Sequence, residues 1–236
     1  MTKRLNFTVG DILSHNEICS AEGKMLQHGM NFRTGRFDSI ILMSRRKGAP
    51  YNDRILDEGR TLIYEGHDVP RTKGVTNPKA FDQPRFTKQG RLTPNGKFER
   101  AALEHKLGKS GPELVKVYEK IKEGIWTFNG VFQLVDCSVE TEDSRKVFKF
   151  RLELTDHDFD ETSRFLTELE HNRLIPSWVK QEVFKRDRGR CVLCGSPDNL
   201  HFDHDLPFSK GGASIVPDNI RLLCARHNLK KHDRIE

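Results

Sequence analysis

Four side chains near the C-terminal end of this chain have the types and spacing of a metal knuckle: Cys191-x2-Cys194 and Cys224-x2-His227. Thiolate and imidazole are zinc's preferred donors, and two tight turns facing each other supply a tetrahedron. A lone CxxC would equally suit redox chemistry, but the second half-site decides for zinc. Four protein ligands leave no open position, so the ion is structural and pins a segment too short to bury much apolar surface. Between the half-sites stand Asp203-His204, with Asn219 fifteen residues after His204 and Asn228 nine after Asn219. A carboxylate and a side-chain amide are oxygen donors that suit Mg²⁺ or Mn²⁺ better than zinc. A neighbouring imidazole is the natural proton acceptor. In isolation Asp203-His204 would read as a surface pair; the loop residues Pro207 and Gly211-Gly212, and Asn228 beside a zinc ligand, favour a built site.

The run from Ile175 to Lys231 resembles the HNH endonucleases, the ββα-metal nucleases, in the form that carries an added Cys/His zinc knuckle. The resemblance implies that Asp203 and Asn228 hold a catalytic divalent cation and that His204 is the general base. It implies that Asn219 braces the catalytic loop and Lys231 contacts phosphate. The implied products carry 5′-phosphate and 3′-hydroxyl ends. His227 stands where a cysteine is commoner, an exchange zinc tolerates. His201, Asp205 and His232 read as solvated or supporting side chains.

These groups need elements to position them. Apolar or β-branched runs predict strands at Ser39–Met43, Arg60–Tyr64, Val131–Val135 and Val147–Leu154. Residues 71–96, rich in Pro, Gly, Lys and Thr, read as long loops. A helix is expected after Thr162 and Ser163. A second one, capped by Ser177 after Pro176, should carry Trp178, Val179, Val183 and Phe184 on one face. The expected fold class is therefore α+β. A mostly β domain covers residues 1–158, a helical linker 159–176, and the nuclease module 177–236.

Charge narrows the partner. The chain is 236 residues long with net charge +6, and residues 1–100 alone carry +7, densest at Arg45-Arg46-Lys47. Such a basic first part fits a polyanion, here double-stranded DNA. Cys19 and Cys137 stand alone and read as small core residues. No apolar run approaches a membrane span, and the first residues lack a secretory h-region, so the expected compartment is cytoplasmic.

A nuclease site addresses only the backbone, so any selectivity must come from the first domain. Ser39–Ser44, then Gly48 to Asp53 with Tyr51, then Leu62–Gly66 with Tyr64, followed by Lys88–Lys97, resemble the SRA (SET- and RING-associated) fold, a PUA-type barrel. That resemblance covers about residues 5–156 and implies that a modified cytosine, such as 5-methylcytosine, is flipped from the duplex. Tyr51 and Tyr64 would then stack on the base, and Asp53 would accept from its exocyclic amine, with Asp57 as the competing carboxylate. The expectation is a modification-dependent endonuclease, whose single active site needs two chains, as in a homodimer, or two binding events to break both strands. The alternatives are a nuclease directed by phosphorothioate or another mark, and a non-catalytic zinc protein that binds DNA.

Overall fold

The computed structural model describes residues 7–33, 39–57, 60–155, 175–206 and 212–231. The helix expected after Thr162, and with it the linker, lies outside these residues, as do Pro207, Gly211 and His232. Among the described residues, no helix is long and apolar enough to cross a membrane.

The described residues up to 155 build one eight-stranded sheet. Its strands are β1 (Ile12–Ser14), β2 (Met30–Asn31), β3 (Ser39–Met43), β4 (Arg54–Leu56), β5 (Thr61–Glu65), β6 (Glu113–Lys122), β7 (Ile125–Glu142) and β8 (Arg145–Leu154). The order is β2-β3-β6-β7-β8-β5-β4, with β1 added on β7; β3 and β6 run parallel and the other pairs antiparallel. Strand alternation divides the apolar residues between two faces. On β3, Ile41 and Met43 enter one core while Ile40 and Leu42 enter the other. On β7, Phe132 and Leu134 face the first core and Val131 the second.

One helix covers each face. Helix α1 (His15–Glu22) starts from a capping box, in which Ser14 Oγ accepts from Glu17 N and Ser14 N donates to Glu17, and it ends on Gly23 at φ 66°. Its Ile18 and Cys19 enter the second core. Helix α2 (Pro94–Lys106) puts Phe98, Ala101 and Ala102 into the first. Burying a side chain such as Phe98 or Phe150 contributes about 1.5–3 kcal/mol, and both are fully buried.

Helix α2 corrects the expected loop. That loop stops at Thr93, whose Oγ1 accepts from Gly96 N, and Pro94 takes a first-turn position where its missing N–H costs nothing. The remaining loop carries a single 3-10 turn at Pro78–Ala80 and a small hairpin closed by the Phe86–Leu92 bridge. The tip of that hairpin exposes Lys88 and Arg91.

The C-terminal elements are α3 (Ser177–Arg186), β9 (Leu200–His204), β10 (Ile220–Cys224) and α4 (Ala225–Lys231). Strands β9 and β10 form an antiparallel hairpin, and its core joins Val179, Val183, Leu200, Phe202, Ile220 and Leu222. Two expectations for α3 fail. Its N-cap is Pro176, and Ser177 starts the helix while its hydroxyl accepts from Arg45. Trp178 is 53% exposed, because Val179 and Val183 already define the buried stripe and Trp178 falls off it.

Candidate functional site

The knuckle forms because β10 ends at Cys224 just as α4 begins, which places His227 on the first turn beside it. Residues 191–194 make the facing turn, where Cys191 N donates to Ser196 O and Gly195 N to Cys191 O. The four ligand atoms of Cys191, Cys194, Cys224 and His227 all lie within 4.8 Å of one another. Cys194 and Cys224 Sγ are 3.8 Å apart; Cys191 Sγ and Cys224 Sγ each lie 3.4 Å from His227 Nδ1. A tetrahedron with zinc–sulfur bonds near 2.3 Å has S–S edges of about 3.8 Å, so the donor set fits that ion. Burial pushes the Cys191 thiol up, but the backbone N–H groups of Cys224, Leu193 and Cys194 bring it down to about 6, toward the thiolate a metal requires.

Strand β9 delivers Asp203 and His204 at its end, and α4 packs across β9 and β10 to complete a ββα unit. Arg221 stands opposite Asp203 in the hairpin and pairs with Asp205 at 3.1 Å. His204 Nε2 is 2.8 Å from Ser214 Oγ. Asn219 ties the two ends of the intervening loop together. Its Oδ1 accepts from Leu206 N at 2.8 Å, its Nδ2 donates to Leu206 O and Ala213 O, and its carbonyl accepts from Asp205 N. Gly212 has no room for a side chain, since a Cβ there would collide with Leu206 O.

Lys231 is turned inward. It is 6% exposed, and its ammonium donates to Asp203 Oδ2 at 2.5 Å and to His204 O. It reaches the Asp203 carboxylate, since an acidic group held in a half-buried pocket draws the nearest cation. Asn228 lies one helical turn before Lys231 and so shares its side of α4. The oxygen donors of Asp203 and Asn228 suit a hard divalent cation.

His201 is not a solvated side chain. It is buried, and its Nδ1 lies 2.9 Å from Asp11 Oδ1 in the first domain.

On that domain, Tyr51 and Tyr64 are brought to one place with His67 between them. The His67 ring stacks on Tyr51 at 5.2 Å and 9°, and its Nε2 lies 3.0 Å from the Tyr64 hydroxyl. Lys79 Nζ sits 5.4 Å over the Tyr51 ring. Tyr64 is 1% exposed and belongs to the core, so Tyr51 is the more accessible face. Asp53 is buried, and its Oδ1 accepts from Glu65 N at 3.0 Å. Burial and the Glu65 charge push its carboxyl up to about 7 against opposing backbone hydrogen bonds. Asp57 sits instead beyond β4 at φ 51°, accepting from the Thr61 hydroxyl, with a turn role. Burial, helped by nearby His28, brings His67 down to about 4.

Sequence reasoning missed the polar frame behind these rings. Glu65 takes Arg145 at 3.2 Å and Lys149 at 3.0 Å, and Arg145 also holds Asp68 at 2.5 Å. Gln83 Nε2 donates to Gly66 O at 2.6 Å, while its Oε1 accepts from Phe148 N. Asn95 accepts from His67 N and donates to His67 O, and it also donates to Pro84 O. The glycine of Tyr64-Glu65-Gly66-His67 was the available signal: a Cβ on Gly66 would lie 2.6 Å from Gln83 Oε1.

Residues 191–234 match the HNH endonuclease family, so the chain carries an HNH nuclease module. No curated protein matches the chain. Among solved structures, it is similar to the SUVH5 SRA domain in complex with hemi-methylated CG DNA, at 22% identity over 65% of this chain and 92% of that one (TM-score 0.45). It is similar at 20% identity to the SUVH5 SRA domain bound to fully hydroxymethylated CG DNA, over 66% and 94% of the two chains (TM-score 0.44). It is also similar to the modification-dependent TagI restriction endonuclease, at 17% identity over 98% of this chain and 79% of that one (TM-score 0.42).

Proposed function

We propose that this protein is a modification-dependent DNA endonuclease: the N-terminal sheet domain binds a modified cytosine flipped out of the duplex, and the C-terminal module hydrolyses the phosphodiester backbone. The observation that carries the reading is the cluster of Tyr51, His67 and Tyr64 against the buried Asp53 and Glu65, in a chain that also carries an HNH module. A flipped base needs an aromatic face and a polar group aimed at its edge. Tyr51 supplies the face, and the base takes the place His67 now fills between the tyrosines. In its ionised form Asp53 accepts from the exocyclic amine of cytosine and repels the O4 carbonyl that thymine puts at the same position.

In the cutting step neutral His204 removes a proton from water. The hydroxide oxygen bonds to phosphorus as the bond to the 3′ oxygen breaks, and that oxygen is protonated from solvent. This leaves 5′-phosphate and 3′-hydroxyl ends. Asp203 and Asn228 would hold a Mg²⁺ or Mn²⁺ ion, which would supply charge neutralisation at the phosphate. Asn219 keeps the His204 loop in place, and Asn228 follows the knuckle ligand His227 on α4. A break in both strands takes two chains or two binding events.

The test is cleavage of matched duplexes that are plain, 5-methylated, 5-hydroxymethylated or phosphorothioated, with Mg²⁺ or Mn²⁺. Faster cutting of the cytosine-modified duplexes is expected. Equal cutting of all four would overturn modification dependence, and preference for the phosphorothioate would move the reader's target to the backbone.

A further inference from the structure

The sheet domain and the nuclease module are joined by two seams, and one short segment takes part in both folds. Strand β1 pairs with β7, Leu13 opposite Trp126, and Leu13 enters the sheet's core. Its neighbour Ile12 packs into the nuclease core instead. Just upstream, Gly10 N donates to Phe128 O in the sheet while Gly10 O accepts from Phe202 N in the nuclease. Asp11 bridges to His201 in β fashion, and their side chains meet at 2.9 Å with His201 buried. Gly10 sits at φ 96°, and a Cβ there would be 3.2 Å from the His201 ring and from Phe202 O, so the junction requires glycine on two counts.

The second seam is charged and buried. Lys180 on α3 donates to Glu119 Oε2 of β6 at 3.1 Å and to Asn129 Oδ1 of β7 at 2.6 Å; Asn129 Nδ2 donates to the same Glu119 oxygen at 3.0 Å. Lys180 is 2% exposed, and Glu119 and Asn129 are 0%. Pulling the module away would take Lys180 from Glu119 and leave that carboxylate only the Asn129 hydrogen bond within the sheet domain.

We propose that the docked arrangement is the one that cuts. The two parts act as a single body, and Asp11, His201, Lys180, Glu119 and Asn129 are positioning residues that fix the distance from the base pocket to Asp203 and His204. The consequence is a single offset between the mark and the broken bond. This rests on the function proposed above for what the pocket binds and for Asp203 and His204 as the cutting site.

A cross-link tests it in the full, zinc-loaded chain. Antiparallel bridge partners lie about 4.5–5.5 Å apart at Cα, within the range a disulfide spans. The double variant Asp11→Cys with His201→Cys should therefore oxidise, read by mass and by non-reducing mobility. Cut positions are mapped on end-labelled duplexes with one modified cytosine and on plain duplex. The oxidised form is expected to cut at the same rate and offset as its reduced form. Failure of the pair to oxidise, or cutting that disappears on oxidation and returns on reduction, overturns the proposal. The complementary variant, Lys180→Met with Glu119→Gln, removes both charges without stranding either. It should broaden the offsets while leaving the wild-type preference for modified DNA in binding, and an unchanged single offset overturns the positioning role. Oxidised and reduced rates on whichever duplex is cut read the docking, whereas modified against plain duplex reads the pocket, so the two claims fail separately.

Discussion

In the proposed reading His204, delivered by the end of β9, is the general base, and its loss should leave the fold alone. His204→Ala is expected to slow cutting by roughly 10²–10⁴-fold, with zinc content and DNA binding unchanged; an undiminished rate refutes the role. The two tyrosines call for different substitutions. Tyr64 is a core residue, and truncating it would unfold more than it tests. Tyr51→Ala is the informative change: it should lose about 1–3 kcal/mol of stacking on modified duplex only, read by titration at one fixed salt. Asp53 and His67 make a paired pH prediction. Asp53 titrates at about 7 in the fold against an ordinary 3.8, so the folded state holds more protons and this group's stabilisation falls as pH rises from about 4 to 7. His67 titrates at about 4 against 6.5, so the unfolded state holds more protons and stability rises across about 4 to 6.5. The two slopes oppose. His67→Gln should make melting temperature fall more steeply with pH in that window, and Asp53→Asn should make it rise; identical slopes in both variants would contradict the assignment.

At the scale of elements, the knuckle is proposed to act as a folding device. Cys224→Ser should release zinc and melt β9, β10 and α4 while the eight-stranded sheet keeps its own transition, measured by metal analysis and thermal unfolding. A wild-type chain that folds and cuts without zinc would contradict this. The knuckle was legible because ligand chemistry restricts both residue type and short spacing: Cys191, Cys194, Cys224 and His227 converge as a set. Strand β3 was legible for a similar reason, since Ser39–Met43 is apolar on both faces and both faces are covered. Helix α2 was not, because Pro94-Asn95-Gly96 has the composition of a turn and only the Thr93 cap gives it away. Nor was the frame around Glu65, whose partners Arg145 and Lys149 lie 80 and 84 residues away. Local periodicity carries no information about such pairs. Trp178 was misplaced for the opposite reason: it was set on the same face as Val179 and Val183, a place the helical register denies it.

For the molecule as a whole, the charge imbalance noted in the first hundred residues surfaces on the Phe86–Leu92 hairpin, whose Lys88 and Arg91 are exposed. Binding to plain duplex should weaken linearly in log salt. Neutralising both residues should shallow that slope by about 2 and leave the preference for modified DNA intact. An unchanged slope would place the phosphate contacts elsewhere.

Asp11 and His201 are 190 residues apart in sequence yet in direct contact. A ribosome adds roughly 5–20 residues per second, so one half of this contact waits many seconds for the other. The sheet can settle with Gly10 and Asp11 already held on β7, and the nuclease hairpin then arrives at a finished edge. The nuclease hairpin is thus made after the sheet it docks on, and it can fold against a surface that is already in place.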